Sequence, residues 1–163
     1  MSTSGTIYVH SSPSAVCPHV EWAVAGALQT RAGLRWTAQK AAPGQLRAEG
    51  DWSGQPGTAA AVVSALRAWP MLRFEVTEEP SPGLDGERFC FVPGLGLWRA
   101  RTSANGDIVV GEDQLRALAA TAHGRDAFAH QLDQLLGAAW DDALEPFRRA
   151  ADGAPVTWLH RVG

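Results

Sequence analysis

Only two cysteines occur in the 163 residues, and Cys17 and Cys90 stand far apart in the chain. That pattern excludes a disulfide framework and predicts reduced thiols. Lysine is nearly absent: Lys40 is one of 14 basic residues and the others are arginine. Arginine suits bidentate binding of carboxylate or phosphate, although GC-rich coding produces the same bias. No apolar run approaches the ~18 residues of a membrane span, and Met1-Ser2-Thr3-Ser4-Gly5 lacks the basic and apolar regions of a secretory leader. The expectation is a cytoplasmic protein with no membrane partner. Seventeen acidic residues against 14 basic ones leave a net charge of −3, so nothing draws the whole molecule to nucleic acid. With Tyr8 the single tyrosine, a sheet surface would lack the stacked aromatics that RNA binding needs.

Catalytic signatures are missing as well. Gly94-Leu95-Gly96 has no third glycine, and a strand rather than a helix follows it, so it is no phosphate loop. Neither a serine-nucleophile elbow nor a Walker sequence occurs. His10, Cys17, His19 and Glu21 do not have zinc-site spacing, and residues 19 and 21 lie about 200° apart around a helix. No metal and no cofactor are expected.

What the sequence does have is the means to fold. Hydrophobic residues make up 45% of the chain, with seven tryptophans, and at this length roughly 70% of the unfolded surface can be buried. Residues 6–10 alternate as a strand, with Ile7 and Val9 on one side and Tyr8 and His10 on the other. A Ser/Pro loop follows, and a helix starts about Pro18 with Cys17 at or near its N-cap. Val20, Ala23, Val24, Ala27 and Leu28 form the apolar stripe of that helix. Leu34, Trp36 and Ala38, then Leu46, Ala48, Gly50 and Trp52, mark a half-buried hairpin about Pro43-Gly44. Val62, Ala65, Leu66 and Trp69 mark a second helix, and Leu72, Phe74 and Val76 a fourth strand. The order β-α-β-β-α-β predicts an α+β protein with a ferredoxin-like N-terminal half, two helices covering one sheet face.

Residues 78–87, acidic and rich in Pro and Gly, are the one place for an internal boundary in an otherwise single domain. Phe89 and Phe91, a strand at 97–102 and another at 108–110 then read as a β-meander. Leu115, Leu118, Ala119 and Ala122 mark a short helix. A longer one starts about Asp126, kinked or split by Pro146, which makes a C-terminal helical pair. Residues 156–162 read as a last strand.

Site candidates follow from this layout. The stretch from Tyr8 to Trp22 gathers two histidines, a cysteine and a glutamate at a strand-to-helix turn. A helix dipole would favour the Cys17 thiolate, with His10 or His19 as base; the plainer alternative is a half-buried cysteine beside incidental histidines. Strand alternation places Tyr8, His10, Arg35, Thr37, Arg47, Glu49, Arg73 and Glu75 on the sheet face away from the helices. That face is expected to be covered at least in part. In Leu97-Trp98-Arg99-Ala100-Arg101, Arg99 and Arg101 share one side about 7 Å apart, with Trp98 and Ala100 opposite. The two guanidiniums suit an acidic partner or a phosphate-bearing arm; paired at home, their natural partners are Asp107 or Glu112. Asp141, Asp142 and Glu145 read as a solvated helix face, and His123 and His130 as ordinary surface histidines.

Thr6-Ile7-Tyr8-Val9-His10-Ser11, Cys17-Pro18-His19-Val20-Glu21-Trp22-Ala23, His123-Gly124-Arg125-Asp126 and Trp140-Asp141-Asp142-Ala143-Leu144-Glu145-Pro146-Phe147 resemble a family of actinobacterial proteins catalogued only as a domain of unknown function. The resemblance covers nearly the whole chain and brings no catalytic residues with it. It implies a cytoplasmic bacterial protein encoded beside type II fatty-acid synthesis genes. The leading expectation is therefore a non-enzymatic binding or accessory protein that engages a protein or acyl-type molecule of lipid metabolism through Tyr8, His10, Trp98, Arg99 and Arg101. One alternative is an enzyme of acyl or thioester chemistry using Cys17 with His10 or His19. Another is a structural homodimer paired through sheet edges.

Overall fold

A computed structural model describes residues 1–150; the strand expected at 156–162 lies outside them. The chain is α+β. Its elements are β1 (Thr3–Pro13), a 3-10 turn (Ser14–Val16), α1 (Cys17–Leu28), β2 (Arg35–Ala38), β3 (Gln45–Gly54), α2 (Thr58–Leu66), β4 (Arg73–Glu78), β5 (Gly86–Val92), β6 (Gly96–Thr102), β7 (Ile108–Val109), α3 (Glu112–Thr121), α4 (Arg125–Leu136) and α5 (Ala138–Arg149). All seven strands form one sheet in the order β2-β3-β1-β4-β5-β6-β7, and every neighbouring pair is antiparallel. The 78–87 segment thus joins two adjacent strands of the same sheet.

Period-2 alternation gives the sheet two different faces. On the first, Ile7, Val9, Ala48, Trp52, Phe74, Val76, Phe89 and Phe91 pack under Val20 and Val24 of α1 and Ala59, Val62, Val63 and Leu66 of α2. Burying residues of this size contributes about 1.5–3 kcal/mol each, so this layer supplies most of the hydrophobic stabilisation. α2 is anchored from below: the Glu78 carboxylate accepts the Gly57 and Ala59 amides at 2.8 and 2.9 Å, satisfying donors that a helix start leaves unpaired. On the second face, Cys90, Val92 and Trp98 pack under Leu144 of α5. A cross-strand row runs over it from Glu49 through Tyr8, Glu75 and Cys90 to Trp98.

β1 is longer than residues 6–10, because it continues through the expected Ser/Pro loop. It does so with an irregularity beyond Val9, where its pairing shifts against both β3 and β4. Such bulges re-aim side chains, and here His10, Ser11 and Ser12 are all buried.

Three C-terminal helices replace the expected pair, because the long helix splits at Gly137 and not at Pro146. Gly137 has φ +75° and lies against the Trp98 indole; a Cβ there would sit 2.6 Å from the ring. Only glycine tolerates both conditions. Pro146 stays inside α5. It and Asp142 are exposed, so the carbonyl that loses its helical donor can be hydrated. α3 buries only Leu118, and α4 buries nothing.

Candidate functional site

Beneath α5 lies a closed cluster of ionised side chains. Glu75 of β4 is its centre. The carboxylate accepts His10 Nε2 at 2.6 Å, Arg88 Nη2 at 3.1 Å, Arg148 Nε at 2.9 Å and the Cys90 thiol at 3.3 Å, and Arg148 Nη2 bonds it as well. Asp141 Oδ1 accepts Arg88 Nη2 at 2.9 Å and Arg148 Nη2 at 3.1 Å. Since a carboxylate only accepts, His10 Nε2 carries the proton of this bond. Glu75, Arg88, Asp141, Arg148 and His10 are all buried. Two carboxylates thereby face two guanidiniums, and α5 is tied to the sheet by reciprocal pairs.

Burial alone would push Glu75 towards its neutral form, but hydrogen bonds and charge from His10 and Arg148 overcome it and hold the carboxyl well below its ordinary range. Burial pushes the Cys90 thiol well up, and the Glu75 charge adds to the effect. Arg148, whose charge burial would disfavour, is kept protonated by Glu75 and Asp141. Asp141 therefore corrects the reading of Asp141, Asp142 and Glu145 as one solvated face: Asp142 is exposed and Glu145 half-buried, but Asp141 faces the sheet. Gln39 steadies the same end of α5, donating to the His10 and Phe147 carbonyls at 2.7 and 3.3 Å. The Arg73 guanidinium lies 4.5 Å from the Phe147 ring centre.

The residues of the strand-to-helix turn have partners of their own. Cys17 is buried and donates to Ser12 Oγ at 3.6 Å and the Pro13 carbonyl at 3.4 Å. Burial raises its thiol pKa. His10 is committed to Glu75, and His19 stacks on Trp69. Among the described residues no hydrogen bond joins Cys17 to a histidine, and no group of three His, Cys, Asp or Glu side chains is placed to hold a metal ion.

Tyr8 stacks on His10 with ring centres 6.0 Å apart. Burial raises its phenol pKa, and Glu49, Glu75 and Asp51 add to it. Two small clefts of about 180 and 200 Å³ share Thr6 and Tyr8, so α5 covers the second face only in part. Trp98 is buried and donates to the Leu135 carbonyl at 3.1 Å.

Arg99 and Arg101 stand on the other side of β6, their side chains 60% and 53% exposed. Their partners are Glu87 and Asp85, not Asp107 or Glu112. The register is the cause: β5 sets Glu87 opposite Arg101 and Phe89 opposite Arg99, while β7 is only two residues long. Arg99 Nε donates to Glu87 at 3.0 Å and the guanidinium lies 5.4 Å from the Phe89 ring centre; Arg101 reaches Asp85 at 3.5 Å. Both line a groove of about 490 Å³ between β6, β7, the start of α3 and Leu135 of α4.

A family profile described as Protein of unknown function (DUF3145) matches residues 6–161. The chain belongs to the DUF3145 family. The match takes in both faces of the sheet, so this DUF3145 chain carries the ion cluster and the groove within the family's own span. No curated protein and no solved structure matches it. Among its described residues no helix is long and apolar enough to cross a membrane.

Proposed function

We propose that this DUF3145 chain is a binding or accessory protein and that the Arg99–Arg101 groove is its working surface, taking an acidic partner. One observation carries the reading: two largely exposed guanidiniums two residues apart on one strand stand on the wall of a groove of about 490 Å³. Charged hydrogen bonds to such a pair contribute about 1.5–3 kcal/mol each before desolvation. Asp85 holds Arg101 weakly, because exposed ion pairs are worth about 0–1 kcal/mol, while Arg99 gives two donors to the half-buried Glu87. The titratable groups that could do chemistry are spent elsewhere, Glu75 and Cys90 sealed under α5 and Cys17 bonded to its own loop. Cys17 as a nucleophile would need a base within reach and a lowered pKa, and the structure supplies support for neither.

The setting we propose is lipid biosynthesis in a bacterial cytoplasm, with a protein partner ahead of an acyl-type small molecule, because the groove is open and its rim charged. The double variant R99A/R101A tests the reading. A partner captured from native lysate and then purified should bind wild type with an affinity that falls with salt, and should bind the variant far more weakly at an unchanged thermal melt. Equal, salt-insensitive binding would sink the proposal. We also infer that the first half is a ferredoxin-like unit, a reading supported by the element order through β4 and by the central placing of β1 between β3 and β4.

A further inference from the structure

α4 is a twelve-residue helix that contains no buried residue, and helices of this length are marginal on their own. Its sequence is nonetheless patterned. Phe128, Leu132 and Leu136 recur at i, i+4 and i+8, and Arg125, Ala129 and Asp133 run alongside them at the same spacing, so the six share one side of the helix. Phe128 is 42% exposed, Arg125, Ala129 and Asp133 are exposed, and the two leucines are half-buried. The two charges on this side stand against the helix's own dipole. Arg125 is the first helical residue, at the positive end, and Asp133 opens the last turn, which holds no basic residue. Eight residues set them about 12 Å apart along the axis, too far to pair with each other.

We propose that α4 pairs antiparallel with α4 of a second copy of this chain about a two-fold axis at Ala129, so that Arg125 of each copy meets Asp133 of the other. Positions 125 and 133 lie four residues either side of 129, and a two-fold there brings both charge pairs into register at once. The small side chain of Ala129 lets the helices approach closely at the axis, where Phe128 packs against its own copy with Leu132 beside it. Pairing also removes the conflict with the dipole. In an antiparallel pair each Arg125 reaches the negative end of the other helix, and each Asp133 its positive end. A partner charged with one sign would satisfy only one of these residues, which is what favours a second copy. A face about 18 Å long and one helix wide lies at the small end of protein interfaces, under ~1,200 Å² in total, so the dimer is reversible and concentration-dependent. The inference is independent of the Arg99–Arg101 reading, since none of these six residues lines that groove.

Sedimentation velocity of the full chain, from low micromolar to submillimolar concentration, tests it. Wild type should move from 17.4 kDa towards twice that mass. R125D and D133R each set like charges opposite one another at both ends of the pair and should weaken self-association at least tenfold. Both replacements agree with the helix dipole, so neither should lower the thermal melt, and loss of the dimer reports on the pairing face and not on an unfolded helix. An equimolar mixture of R125D and D133R restores opposite charges in both pairs and should dimerise as wild type does. The double variant R125D/D133R should do the same alone. A wild type that stays monomeric throughout the range overturns the proposal. So does a dimer that the single variants leave unchanged, or one that they break and the mixture does not restore.

Discussion

Arg148→Met removes the charge by which α5 closes the ion cluster while keeping much of the side chain's volume. Arg148 bonds Glu75 through Nε and Nη2 and Asp141 through Nη2. Without it, the two buried carboxylates lose the guanidinium that bridges them and keep Arg88, His10 and the Cys90 thiol as hydrogen-bonded partners. Breaking a buried pair on one side costs about 3–5 kcal/mol. For a chain of this size each kcal/mol moves the midpoint by about 2–4 °C, so the melt should fall by roughly 6–20 °C. Urea unfolding followed by tryptophan fluorescence gives the same quantity, since Trp98 and Trp140 both pack in the cluster beneath α5. The companion variant D141N/R148M removes one charge of each sign and should recover part of the loss, because paired removal of buried ions is far less costly than single removal. A single-variant loss below about 1 kcal/mol, or no recovery in the double, would refute the account of α5 as held by reciprocal buried charges.

Glu75, with its pKa held low in the folded state, contributes stability that is present above its ordinary value of 4.5 and is lost as pH falls towards its folded value. Wild type should therefore weaken steeply below about pH 4.5, and E75Q, less stable at neutral pH, should show a flatter acid limb in pH-dependent melts. Gly137→Ala meets both a positive φ and the Trp98 ring and should cost at least about 2 kcal/mol in urea unfolding; an effect under 0.5 kcal/mol would mean that the α4–α5 junction is looser than described. Iodoacetamide at pH 8 should label neither Cys90 nor Cys17 quickly in the folded protein, with both reacting once urea is added, since both thiols are buried with raised pKa values. Rapid native labelling of Cys17, read by peptide mass, would reopen the nucleophile reading.

Alternation of small windows was enough to place Tyr8, His10 and Glu75 together on one face of the sheet, because a strand's period of two is local information. The partners that complete the cluster were not legible in the same way. Arg88 and Cys90 alternate with Phe89 and Phe91, which points them off the first core, but no local pattern says that a helix returns to cover them. Asp141 and Arg148 lie seven apart on one face of α5, a spacing that equally describes a solvated stripe; Asp142 beside Asp141 made the solvated reading the natural one. The split at Gly137 was hidden for a related reason. A glycine within an apolar helical pattern is tolerated on propensity alone, and only the Trp98 ring, nearly 40 residues earlier, makes it a boundary. The arginine groove was half legible: spacing gave the shared side of Arg99 and Arg101, while their partners depended on strand register.

The hydrogen bond between Glu75 and Arg148 spans 73 residues, and its length of chain has a consequence for assembly during synthesis. β1 completes its two ladders once β4 has emerged, and α1 and α2 are by then available to cover the first face. The second face must wait for α5. Long-range closures of this kind come late and are slow, and an apolar surface left waiting would invite aggregation. Here the waiting surface carries His10, Glu75 and Arg88 beside Cys90, Val92 and Trp98, so water solvates part of it well and the apolar part is small while α5 is still absent. Dehydration of those charges is deferred to the moment when Asp141 and Arg148 arrive to replace the water.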